Sequence, residues 1–170
     1  MAPLPLSQLA RRLIISPRPG SVPQAPALVW EAPPTALTES GHWELTDAGR
    51  TLTRPLAGEP VIFFVEKAVG TNNPFAMGVT IGRVESNDVV LEDGSVSRFH
   101  AWLQQDERTQ QWAITDAESK NGTFLDGVQL APRQRAPLAD GARLKLGEVQ
   151  LTFFLPESLK RFVEQRFREA

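Results

Sequence analysis

From Pro60 onward the chain is built of short apolar runs: VIFFVEK, GVTIGR, DVVL, HAWLQQ, QWAIT, TFL, ARLKL and VQLTFF. The punctuation between them is Asp93-Gly94, Asn121-Gly122, Asp126-Gly127, Asp140-Gly141 and Gly147-Glu148, residue types that accept positive φ in tight hairpins. Many short strands separated by such turns predict an all-β antiparallel sandwich or barrel. In VQLTFFL, Val149, Leu151 and Phe153 alternate with Gln150 and Thr152, so one face is expected to be buried and the other wet.

The first 59 residues have a different texture. Ten of the fourteen prolines fall within the first 60 positions, and proline both fixes φ and removes a backbone donor. An irregular, Pro-rich extension over 1–59 is expected, a linker or wrapping tail that is only partly ordered. Two stretches argue for some order: ALVWEA groups Leu28, Val29 and Trp30, and HWELTDAGRTLTR alternates like a strand or hairpin, so Trp30 and Trp43 are expected to pack. At the other end, PESLKRFVEQRFREA sets Leu159, Phe162, Val163 and Phe167 at helical spacing behind Pro156. That predicts an amphipathic helix over 156–170, packed on an open end of the sandwich.

Length allows one domain with a real core and an appendage. A net charge of −2 and a pI near 5.7 give no overall footprint for nucleic acid or an anionic membrane. The apolar runs are strand-sized, far below the roughly 20 residues that span a bilayer. LARRLII runs into Ser16 and Pro17 before reaching the apolar length of a signal peptide. Its acid-poor character is closer to a transit peptide, but Pro3, Pro5, Pro17 and Pro19 leave room for only a short helix. The absence of cysteine rules out disulfides, thiolate metal sites and cysteine nucleophiles, and a cytoplasmic location is expected.

Three polar clusters interrupt the β-rich half: IGR at 81–83 with ESND at 85–88, VSRFHA at 96–101, and SKNGT at 119–123. Should their loops converge, Arg83, Ser97, Arg98, Lys120 and Asn121 assemble an anion site. The chemistry suits a phosphate ester: arginine gives planar charge-assisted donors, serine a short hydroxyl bond, and asparagine can both donate to and accept from a peptide backbone. No acid/base pair, metal-ligand cluster or nucleotide-binding Gly-rich loop accompanies them. The inventory suits holding a phosphate rather than cleaving it, so neither an enzyme nor a cofactor is expected.

GR, then SND-VVL, then VSRFHA, then SKNGTFLDG, closing with LADGARLKLGEVQLTF, resembles a forkhead-associated (FHA) domain over roughly residues 60–155. The five signature positions of that family are filled by Gly82, Arg83, Ser97, His100 and Asn121. The resemblance implies an eleven-stranded β-sandwich that recognises phosphothreonine peptides through loops at one end. It implies that Arg83 and Ser97 contact the phosphate, that Arg98 adds charge, that Asn121 binds the peptide main chain and that Lys120 lines the pocket. Gly82, His100 and Gly122 would be architectural. Phe99 departs from the pattern, standing where many members carry a polar or basic residue. Selectivity for threonine would come from a small pocket for its methyl group, and Arg133 and Arg135 hint at an acidic preference further along the peptide.

The implied function is a phosphothreonine-dependent interaction module, an adaptor in Ser/Thr kinase signalling. Its partner would be a phosphorylated protein, with no nucleic acid and no membrane involved. A phosphate-independent assembly protein using the sandwich face or terminal helix is the alternative. Thr35, Thr38, Thr46, Thr51 and Thr53 lie within reach of the domain, which makes the chain's own phosphorylated N-terminal segment a candidate ligand in cis. His42 is uninformative, and Asn87 and Asp88 are expected to order the following strand rather than touch ligand.

Overall fold

The computed structural model describes residues 3–15, 17, 23–31, 58–69 and 73–169. Trp43, His42, the HWELTDAGRTLTR stretch and the five threonines named above lie outside the described residues. Among those described, twelve strands form two sheets. They are β1 (Leu4–Pro5), β2 (Ala27–Trp30), β3 (Val61–Phe64), β4 (Val79–Gly82), β5 (Val89–Val90), β6 (Ala101–Gln105), β7 (Trp112–Asp116), β8 (Thr123–Leu125), β9 (Val128–Gln129), β10 (Arg135–Leu138), β11 (Arg143–Leu146) and β12 (Val149–Phe154). Two helices accompany them among the described residues: α1 (Leu6–Ala10), which runs into a π-helical turn over Arg11–Ile15, and α2 (Pro156–Glu169).

One sheet runs β1-β3-β2-β12-β11-β8-β9 and the other β10-β7-β6-β4-β5. All pairings are antiparallel except β4 with β5, where Ile81 lies beside Val89. The sheets face each other across a core that includes Leu28, Ile81, Leu103, Ile114, Leu144 and Phe153. The alternation expected in β12 is present, since Val149, Leu151 and Phe153 point into this core.

The sandwich is not confined to residues 60–155. Ala27–Trp30, expected within the irregular extension, is a strand between β3 and β12, pairing Val29 with both Ile62 and Thr152. Leu4 and Pro5 add a short edge strand beside β3. ALVW and VIFF read as continuous apolar runs because each is buried on both faces. Leu28, Trp30, Val61 and Phe63 enter the inter-sheet core, while Ala27, Val29, Ile62 and Phe64 enter a second cluster on the outer face of the seven-stranded sheet. That second cluster is closed by Leu9 and Ala10 of α1 and by Leu159 and Val163 of α2.

The terminal helix therefore lies on the outer face of the sheet, not on an open end of the sandwich. Phe162 stacks on Phe154 with ring centroids 5.1 Å apart, whereas Phe167 remains exposed. Asp140 caps the helix from the β10–β11 turn, accepting the Leu155 N–H at 2.8 Å and the Ser158 hydroxyl. Arg166 pairs with Glu31 at the end of β2, tying α2 to the strand that the extension supplies. No described helix is long and apolar enough to cross a membrane.

Candidate functional site

The three polar clusters meet at one end of the sandwich, in the loops that follow β4, precede β6 and join β7 to β8. The Arg83 N–H donates to Ser97 O at 3.0 Å, and the Lys120 N–H donates to Ser97 Oγ at 3.0 Å. Asn121 Nδ2 donates to Ser95 O at 2.9 Å, and Ser95 Oγ accepts the Glu148 N–H from the β11–β12 turn at 2.8 Å. Arg83, Ser97, Lys120 and Asn121 are thus brought into one hydrogen-bonded constellation.

Arg83 is exposed, and its Nε donates to Val96 O at 3.1 Å. That bond orients the guanidinium while its two terminal nitrogens have no protein partner among the described residues. Ser97 Oγ accepts from Lys120, so its own proton is free for an external acceptor. Neither Arg83, Arg98 nor Lys120 forms an ion pair with a described carboxylate. Glu118, near Lys120 in sequence, is taken by Arg133 at 2.8 Å. That pairing neutralises one of the two arginines expected to favour acidic peptide residues.

The supporting positions have physical reasons. A Cβ on Gly82 would sit 2.1 Å from Arg98 O and 2.6 Å from Asn87 Nδ2, so only glycine lets β4 approach the 97–100 loop this closely. Gly122 turns the chain at φ +86°, with a Gln129 side chain filling the space where a Cβ would point. His100 is fully buried, accepts the Ser97 N–H on Nδ1 at 3.0 Å and lies 3.0 Å from Gly122 O through Nε2. An accepting Nδ1 assigns the proton to Nε2, so the neutral ring clamps two site loops together. Burial holds its pKa below the ordinary 6.5, more than the Gly122 carbonyl and the Asp116 charge can restore.

Residues 79–147 match the FHA domain family. This chain carries an FHA domain. An FHA domain-containing protein of Arabidopsis thaliana is 35% identical over 71 residues, 41% of this chain and 18% of that protein. The oxoglutarate dehydrogenase inhibitor of Corynebacterium diphtheriae is 28% identical over 118 residues, 68% of this chain and 78% of its own. The solution structure of an Arabidopsis thaliana FHA domain aligns with 79% of this chain and 87% of its own at 22% identity and a TM-score of 0.49.

Within the FHA domain, Arg98 and Phe99 part company from their neighbours. Arg98 is exposed, and its carbonyl accepts from Asn87 Nδ2 at 2.6 Å, while the Phe99 ring lies against Trp102. Phe99 therefore leaves the cationic constellation instead of intruding on it.

Two supporting residues lay outside the reasoning from motifs, and a third does more than was expected of it. Buried Asp116 shapes the SKNGT loop by accepting the Ser119 hydroxyl at 2.5 Å and the Thr123 hydroxyl at 2.6 Å. The Asp-x-x-Ser spacing in DAES was its available signal. Ser95 knits the 93–97 loop by donating to Asp93 Oδ1 at 2.6 Å while receiving Glu148. Asn87, expected only to order the strand, also bridges two loops through Val84 O at 2.9 Å and Arg98 O. Asp88 behaves as expected, turned away from the site and buried against Lys67 at 2.7 Å. Burial works to raise its pKa, but Lys67 and the N–H groups of Thr80 and Ala68 outweigh it and leave the group below its ordinary 3.8.

Proposed function

We propose that the chain is a phosphothreonine-dependent protein–protein interaction module, acting as an adaptor in cytoplasmic Ser/Thr kinase signalling and binding its partner without turning it over. One observation carries the reading: the Arg83 guanidinium is oriented by Val96 O yet open at both terminal nitrogens, beside a Ser97 hydroxyl whose proton is uncommitted. A phosphate ester bearing about −1.5 to −2 charges fits such a pair of pre-oriented donors. Arg98 and Lys120 add positive charge around it. Asn121, braced on Ser95, retains its carbonyl oxygen and one amide hydrogen for the main chain of an extended peptide. Gly82, His100 and Gly122 hold the loops at that spacing. The chain spans only 18% of the Arabidopsis relative, and the wider roles of that protein are its own.

Calorimetry with a phosphothreonine peptide and its unphosphorylated twin tests this. The phosphorylated peptide should bind and weaken with added salt, and Arg83→Ala should cost about 2–5 kcal/mol of binding free energy. Retained binding in that variant, or indifference to phosphatase treatment of a captured partner, would overturn the reading in favour of a phosphate-independent assembly protein.

A second ligand is the chain's own segment carrying Thr35, Thr38, Thr46, Thr51 and Thr53. The observation that favours it is topological. Trp30 pairs with Val61, and the register of β2 on β12 puts that pair toward the Val149 end, where the β11–β12 turn meets Ser95 and Gly122. Residues 31–60 therefore leave and rejoin the sheet at the end that bears the site.

A further inference from the structure

Strand alternation in β6 sends Ala101 and Leu103 into the core and Trp102 to the outer face of the five-stranded sheet. Phe99, three residues earlier, stacks on Trp102 with ring centroids 5.9 Å apart, and Phe75 meets both rings at 5.4 and 5.3 Å. Trp102 Nε1 is buried there without a hydrogen-bond partner among the described residues. Phe75 is held in place from below: Lys67 Nζ donates to Phe75 O at 2.9 Å and is itself fixed by buried Asp88. The three rings form a preformed apolar shelf.

The shelf is not fully covered. Phe99 keeps 38% of its surface exposed, and Val84 on the neighbouring loop keeps 36%. Asn87 Nδ2 binds the carbonyls of Val84 and Arg98 together, so these two loops run side by side. Exposed apolar surface thus begins one residue past Arg83 and one residue past Arg98. Consecutive Cα atoms are only about 3.8 Å apart, which puts the shelf within reach of residues flanking a phosphothreonine seated at Arg83 and Ser97. A few exposed side chains fall far below the roughly 800 Å² per partner of a stable protein interface, so the shelf suits an added contact by a ligand anchored elsewhere.

We propose that the Phe75–Phe99–Trp102 shelf reads an apolar side chain next to the phosphothreonine of the same bound peptide, a specificity that rests on the phosphopeptide function proposed above.

The test is calorimetry with phosphothreonine peptides in which the residue immediately before or immediately after the phosphothreonine is leucine in one peptide and serine in its twin. Wild type should prefer leucine at one flank by about four- to fifteenfold, the range for one to two methylenes of buried surface. Phe99→Ser should remove that preference while binding stays phosphate-dependent, and Phe99→Leu should keep it. Should Phe99→Ser melt within the assay range, Val84→Ser carries the same comparison. No preference at any position, or a preference that survives both serine variants, overturns the shelf while leaving the phosphate site standing. If no phosphothreonine peptide binds wild type, the phosphate site itself fails and the shelf fails with it.

Discussion

At the scale of single residues, the site works because its polar groups are divided between those consumed by the protein and those left open. Arg83 spends Nε on Val96, Ser97 spends an oxygen lone pair on Lys120, and both keep donors free. His100 is the opposite case, with both ring nitrogens engaged inside the fold. Protonating Nδ1 would turn the acceptor of the Ser97 N–H into a donor facing a donor. Because burial lowers its folded pKa below 6.5, the unfolded chain binds the proton more readily. Its stabilising contribution is therefore complete above pH 6.5 and is lost as pH falls from there toward the folded pKa. The urea midpoint should drop between about pH 7.5 and pH 5.5, and His100→Gln should flatten that dependence. An unchanged slope in the variant would assign the pH sensitivity to other groups.

At the scale of elements, the motif-bearing loops were legible because turn pairs and glycine positions are local signals, and Gly82, Arg83, Ser97 and Asn121 fall where such signals place them. The pairing of β2 was not, since its partners lie at Val61–Phe64 and Thr152–Phe154, far along the chain, and nothing near ALVW encodes them. The direction of the Phe99 ring was illegible for the same reason, since Phe75 and Trp102 set it. The strap between β3 and β4 is likewise a long-range feature. Asp88, immediately before β5, holds it through a fully buried side chain that accepts the N–H groups of Ala68 and Thr80, the Thr80 hydroxyl and Lys67. Asp88→Ala should cost about 3 kcal/mol in chemical denaturation, because it strands several buried donors at once. Lys67→Met should cost less, since half-exposed Lys67 supplies only one of those bonds and the main-chain donors remain. A larger loss for Lys67→Met would mean that the ion pair, not the hydrogen-bond set, holds the strap.

At the scale of the whole molecule, the seven-stranded sheet is a middle layer, with the five-stranded sheet on one face and α1 and α2 on the other. This makes Leu4–Ile15 and Ala27–Trp30 part of the folding unit, and Trp30 with Val61 ends an antiparallel pair that residues 31–60 join in sequence. Joining Glu31 directly to Gly58 leaves a connection of ordinary hairpin length. Shortening a loop that much lowers its closure entropy by up to about 2 kcal/mol. The deletion should therefore keep or raise the melting temperature, while removing residues 1–31 should unfold the chain by uncovering Ile62, Phe64 and Leu159. The same deletion removes every threonine proposed to bind in cis. Tethering near the site gives an effective concentration of about millimolar, so after kinase treatment the full chain should lose external phosphopeptide affinity by about a hundredfold or more, and the deleted chain should not. Equal affinities in the two phosphorylated chains would leave the site serving partners in trans alone.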